Sequence, residues 1–290
     1  MKTILVLTDF SINATYTAQY ALELAQKTKA NLLFCNVYTI PANERPDEPK
    51  AWPIAEAEES SIQDLSAMVY QLKDELDKEE DTQCFRPDIE QYNGEGSIAD
   101  RIKDISNKYQ VILVIISKHS TIHTSALFAN NHARAIIESA GFPVLVIPYQ
   151  VRFKPYKTIA FATAMNYSDI DVLQSLCGLA EHSKSKILIT HIVSRNTENE
   201  STVKKFFSQI PMKINYPGII YRVIKSNSVI DSLKQLMLNT EIDLLVMVHC
   251  KTTFLRRLFN SSIAQRLALY SGKPLLIFPC AQVRQVLPVF

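Results

Sequence analysis

KTILVLT at residues 2–8 returns as KTIAFAT at residues 157–163, and this recurrence decides the fold. The offset of 155 also lays Leu24-Ala25 on Leu179-Ala180 and Leu32-Leu33-Phe34 on Ile187-Leu188-Ile189. Further on, the offset becomes 131. Ser97-Ile98 then meets Ser228-Val229, Leu127-Phe128 meets Leu258-Phe259, and PVLVIP at 143–148 meets PLLIFP at 274–279. The drop means that the first copy carries 24 additional residues, between Val37 and the segment near Phe85. Two constant offsets across the apolar runs mark a duplicated domain. The boundary falls near residue 150, giving domains 1–150, with an insertion at about 38–84, and 151–290.

Each copy alternates strands and helices. Short apolar runs predict strands at 3–8, 31–38, 85–92, 111–116 and 143–147. In the second copy they fall at 157–163, 186–193, 218–224, 242–248 and 274–278. The unbroken run from Val111 to Ile116 implies burial on both faces, as in a parallel strand covered by helices. Between strands, Ile62, Leu65, Val69, Leu72 and Leu76 recur at helical steps and predict one apolar face. Ile98, Ile102 and Ile105 do the same, as do Val229, Leu233, Leu236 and Met237. The fold class is therefore α/β: two tandem, doubly wound, five-stranded, Rossmann-like parallel-sheet domains. The proline-bearing stretch from Pro41 to Pro53 reads as a surface loop before a long helix. A tolerated insertion and a lid are both open readings of it.

Composition narrows the function classes. With 290 residues, 47% hydrophobic and 21% charged, the chain is ordinary for a globular protein. A net charge of +2, with acids and bases interspersed, gives no case for a nucleic-acid partner or an anionic membrane. No apolar run reaches the ~18 residues of a membrane span. The N-terminus lacks a small-residue cleavage site and is not read as a signal peptide. Five scattered cysteines (Cys35, Cys84, Cys177, Cys250 and Cys280) form no CxxC pair, which suits free thiols in the cytoplasm.

In an open α/β sheet, ligands sit beyond the carboxyl ends of the strands where strand order reverses. That directs attention to Thr8-Asp9-Phe10-Ser11 after strand one and to Ser117-Lys118-His119-Ser120 after strand four. With these ends and the closing segment from Ala133 to Ile147, each half resembles the universal stress protein domain. The whole chain resembles the tandem form of that family. The resemblance implies a stress-response role. It also implies that the two halves pair as an intramolecular pseudo-dimer through their last strands. A second copy of the chain and an unidentified protein are the further partners it suggests.

The ATP-binding branch of the family follows strand four with Gly-x2-Gly-x9-Gly-Ser/Thr. Glycines there let backbone N–H groups close on phosphates. The matching positions here are Ser117, Ser120, Asn130 and Asn131, and in the second copy Val248, Lys251, Ser261 and Ser262. None is glycine, and Ser262 alone fits the terminal Ser/Thr. The strand-one aspartate is Asp9 in the first copy and Ala164 in the second. The nucleotide motif is therefore degenerate. If the chain holds a nucleotide or small anion, the candidate residues are Asp9, Val37, Ser117, Ser120, Asn130 and Asn131.

Other chemistries fit less well. His119 and His123, with His132, have metal-ligand residue types but lie in an expected loop, so no metal site is expected. No Gly-x-Ser-x-Gly elbow occurs, and Ser11 is expected to cap a helix rather than act as a nucleophile. Asp100 and Asp231 are expected to stabilise helix starts. Cys250, beside His249, is the thiol worth probing for reactivity. Arg256 and Arg257 read as an exposed pair beside Phe254, Leu258 and Phe259. The expectation is a non-catalytic interaction module without a cofactor. The alternative is an ATP or small-anion sensor using the first domain.

Overall fold

The computed structural model describes residues 1–38, 52–79, 84–117, 136–137, 141–166, 168–193, 200–239, 242–249, 272–279 and 290. The chain forms two compact units. One comprises Met1–Ala140 with Tyr149–Phe153, and the other comprises Gly141–Pro148 with Lys154–Phe290.

The first unit runs β1 (Lys2–Leu7), α1 (Ile12–Thr28), β2 (Asn31–Tyr38), α2 (Trp52–Lys78), β3 (Ile89–Glu95), α3 (Ile98–Lys108) and β4 (Gln110–Ser117). Its strands are parallel, in the order β3-β2-β1-β4. From β1 the chain steps one way to β2 and β3, then crosses back to β4, so the reversal falls between β1 and β4. The residues from Ile4 to Leu7 and from Val111 to Ile116 are all buried, as expected for strands covered on both faces. Alanines at 14, 18, 21 and 25 let α1 lie close on this sheet. After β4, Ile136 and Ile137 are helical and buried.

Two sequence expectations need correction here. The third strand is Ile89–Glu95 rather than 85–92. Pro87 has no N–H to give a ladder, so pairing starts after it. The polar residues Asn93 and Glu95 are carried into the strand because β3 ends the described sheet. On α2, Leu65, Val69, Leu72 and Leu76 are buried, but Ile62 is 44% exposed. Ser61 turns inward instead, donating to Asn36 Oδ1 at 2.8 Å. The next residue is thereby rotated off the sheet-facing stripe.

The second unit contains β5 (Val144–Ile147), β6 (Thr158–Ala162), α4 (Ser168–Glu181), β7 (Lys186–Val193), α5 (Glu200–Lys213), β8 (Ile219–Lys225), α6 (Val229–Asn239), β9 (Leu244–His249) and β10 (Leu275–Pro279). Its order is β5-β10-β9-β6-β7-β8. All its strand pairs are parallel except β5 with β10, which run antiparallel, with Val144 opposite Ile277 and Val146 opposite Leu275. Strand β5, which closes the first repeat in sequence, thus packs with the second unit. The segment after it returns to the first unit. There Gln150 N–H donates to Asn13 Oδ1 at 3.0 Å, and Phe153 stands edge-on to Tyr20 at 5.1 Å.

Candidate functional site

The first unit brings the ends of three neighbouring strands to one crest. Leu7 pairs with Cys35 on one side and Ile116 on the other. Asp9 therefore follows the end of β1, Val37 lies near the end of β2, and Ser117 ends β4. Val37 is buried. Ser117 is 4% exposed, and its hydroxyl has no hydrogen-bond partner among the described residues. Ser120, Asn130 and Asn131 lie outside the described residues, as do His119, His123, His132, Lys251, Ser261, Ser262, Cys250, Cys280, Arg256 and Arg257.

The β1–α1 turn is built by short polar bonds. Thr8 N–H donates to Cys35 O at 3.0 Å, which fixes the strand end. Phe10 adopts a left-handed backbone, with φ at 58°. Its N–H donates to Thr8 Oγ1 at 3.3 Å. Asp9 Oδ1 then accepts from Ser11 N–H at 3.2 Å and from Ser11 Oγ at 2.8 Å. Ser11 in turn caps α1, accepting from Ala14 N–H at 3.2 Å. From β2, Asn36 Nδ2 donates to Thr8 O at 2.8 Å. Under α2, Ser61 links Asn36 to Asn93, and Tyr38 Oη donates to Glu58 Oε1 at 2.6 Å. Burial and the Glu58 carboxylate push the Tyr38 hydroxyl up to about 12.

A model of the Universal stress protein family matches residues 1–148. The chain belongs to that family. A search of curated proteins finds no match. Among solved structures, a universal stress protein from Archaeoglobus fulgidus DSM 4304 is similar over 97% of both chains, at 12% identity and a TM-score of 0.67. A protein of unknown function from Pseudomonas aeruginosa PAO1 is similar over 96% of this chain and 92% of its own, at 10% identity and a TM-score of 0.57. A universal stress protein solved in complex with cAMP covers 44% of this chain and 100% of its own, at 19% identity and a TM-score of 0.36.

The second unit of this universal stress protein rebuilds the same turn with a relocated acid. Met165 matches Phe10, with φ at 60°, and its N–H donates to Thr163 Oγ1 at 2.8 Å. His191 takes the place of Asn36, its Nδ1 lying 2.9 Å from Thr163 O. The acid at position 9 has become Ala164. In compensation Asp169, which matches Ala14, reaches back: its Oδ2 accepts from Thr163 Oγ1 at 2.6 Å and from Asn166 N–H at 3.2 Å. Asp169 is 1% exposed, and its Oδ1 has no partner at hydrogen-bonding geometry among the described residues. Burial pushes this carboxyl above its ordinary range. The Thr163 hydroxyl and the N–H groups of Asn166, Ala164 and Met165 oppose that rise.

Sequence reading missed Asn36, Ser61, His191 and Asp169. The signal for Asp169 was available: at the offset of 155, losing an acid at 164 coincides with gaining one at 169. Elsewhere, Asp100 and Asp231 take up their expected places at helix starts. Each accepts from the capping serine, at 2.8 Å from Ser97 and 2.7 Å from Ser228, while its own N–H donates back. Cys35 and Cys177 are buried, and burial pushes both thiols up to about 12. Among the described residues, no group of three His, Cys, Asp or Glu side chains is placed to hold a metal. In the same residues, no helix is long and apolar enough to cross a membrane.

Proposed function

We propose that this universal stress protein is a non-catalytic stress-response and interaction module with a degenerate nucleotide site, acting in the cytoplasm. The observation that carries this reading is the employment of the crest carboxylates. Asp9 holds the backbone and hydroxyl of Ser11, and Asp169 holds Thr163 and Asn166. Both carboxylates accept hydrogen bonds at the start of a helix, a role that calls for no substrate. The loss of every glycine from the phosphate-loop positions supports the same reading. Cytoplasmic residence rests on the thiols: Cys35 and Cys177 are free and buried.

A second reading rests on Ser117. Its buried hydroxyl, without a hydrogen-bond partner among the described residues, stands beside the end of β1, where an ATP or small-anion sensor using the first unit would need a donor. Calorimetric titration with ATP, and separately with inorganic phosphate, divides the two readings. The first predicts no saturable heat with either. Micromolar ATP binding that Asp9→Ala or Ser117→Ala abolishes would establish the second reading and remove the first.

A further inference from the structure

The third strands of the two units end their described sheets with different cover and opposite charge. Leu32 pairs with Ile89 in the first unit, and Ile187 pairs with Ile219 in the second. In this register Gln91 and Asn93 answer to Tyr221 and Val223. Helix α2, of 27 residues, lies over β3: Ile89 is 1% exposed, and Gln91 donates to Ser66 Oγ at 3.0 Å. Helix α5 has 14 residues. It meets β8 through Phe207, whose ring stands 4.8 Å from that of Tyr221. Tyr221 and Val223 nevertheless remain 41% and 40% exposed, and Ile220, on the opposite face, is 47% exposed.

A seven-residue apolar end strand without proline is a template for another strand. Charge selects which one. Between Ile219 and Lys225 the charged residues are Arg222 and Lys225, both exposed and both basic. Between Ile89 and Glu95 they are Glu90 and Glu95, both exposed and both acidic. Pairing β8 with β8, or β3 with β3, brings strands of like charge together, which is unfavourable. Pairing unlike edges brings a basic strand against an acidic one. We infer that β8 of one copy takes β3 of a second copy as an added strand. Each copy then offers one acidic edge and one basic edge, so the contact is heterologous and association runs head to tail.

Sedimentation velocity of the full chain over roughly 1 µM to 1 mM tests this. The expected result is a weight-average mass that rises past the dimer with concentration and falls with added salt. Arg222→Glu weakens association about tenfold, Glu90→Lys does the same, and the chain carrying both substitutions recovers it. Circular dichroism melting confirms that each variant is folded. Should Glu90→Lys disturb the fold through the Tyr109 hydroxyl bonded to Glu90, Glu95→Lys gives the same reading. A single species at all concentrations overturns the inference. So does association that stops at two copies, that ignores charge reversal, or that the double substitution leaves weakened.

Discussion

Thr163 Oγ1 donates to Asp169 Oδ2 at 2.6 Å, with both side chains buried. The first unit makes the matching turn with a half-exposed acid, Asp9, five residues earlier in the repeat frame. The backbone N–H satisfied is equivalent in both: Ser11 in one, Asn166 in the other. The carboxylate has changed its place of origin while its acceptor role at the helix start has stayed.

Burial makes the two acids unequal in stability. Asp9→Ala removes a cap-supporting acceptor from a half-exposed turn that water can re-solvate, and should cost about 1 kcal/mol. Asp169→Ala strands a buried hydroxyl and a backbone N–H, and should cost about 2–3 kcal/mol. Adding Ala164→Asp to Asp169→Ala restores an acid at the position that matches Asp9 and should recover about 1 kcal/mol. Denaturant midpoints of the four proteins check this ordering. Equal losses for the two single substitutions would contradict it.

The same burial fixes a pH dependence. Desolvation raises the folded-state pKa of Asp169 above its unfolded value. The group therefore favours the folded state fully below the unfolded carboxylate pKa, and that contribution is lost as pH rises through the raised folded pKa. Relative to Asp169→Asn, which does not titrate, the wild-type chain should gain stability as pH falls from 7 into the carboxylate range. Unfolding free energies of the pair, measured at stepped pH, give the difference directly. A difference that moves the other way would show that the opposing hydrogen bonds outweigh desolvation.

Much of this architecture was legible because burial on two faces writes a continuous apolar run, as from Val111 to Ile116, and one buried helix face writes a stripe such as Leu65 to Leu76. The third strand was misplaced because an end strand is written in polar residues, and Asn93 and Gln91 are read correctly only once their partners on α2 are known. The crest was half legible. Asp9 could be found from the repeat and from the end of its strand. Asn36 and His191 could not, since each acts on a carbonyl of the neighbouring strand, 28 residues earlier in the chain. Strand β5 carries the same lesson: its sequence places it at the end of the first repeat, while its antiparallel partner β10 is the last strand of the second.

The thiols should separate by environment. Cys84 is exposed, whereas Cys35 and Cys177 are buried with their thiols raised to about 12. Alkylation needs the thiolate and access to it. Brief iodoacetamide treatment of native protein, followed by peptide mass analysis, should label Cys84 and leave Cys35 and Cys177 unmodified until denaturant is added. Native labelling of Cys35 would mean that β2 opens readily.

Asn36 is the strongest test of how the crest is held. It is 3% exposed, its amide donates to Thr8 O at 2.8 Å, and its carbonyl accepts from Ser61 at 2.8 Å. Ser61→Ala removes the neutral hydroxyl that links Asn36 to Asn93, and the expected loss is about 1 kcal/mol. Asn36→Ala leaves Thr8 O without this side-chain donor, and the expected loss is about 2 kcal/mol. Asn36→Asp replaces the donor with a buried carboxylate facing that carbonyl. It should be the worst of the three at pH 7 and should recover in part as the pH falls and the acid takes up a proton to donate. Thermal melts of the three variants at pH 7 and pH 5 read this out. If Asn36→Asp proved as stable as Ser61→Ala at pH 7, the Asn36–Thr8 bond would not help to hold the end of β1.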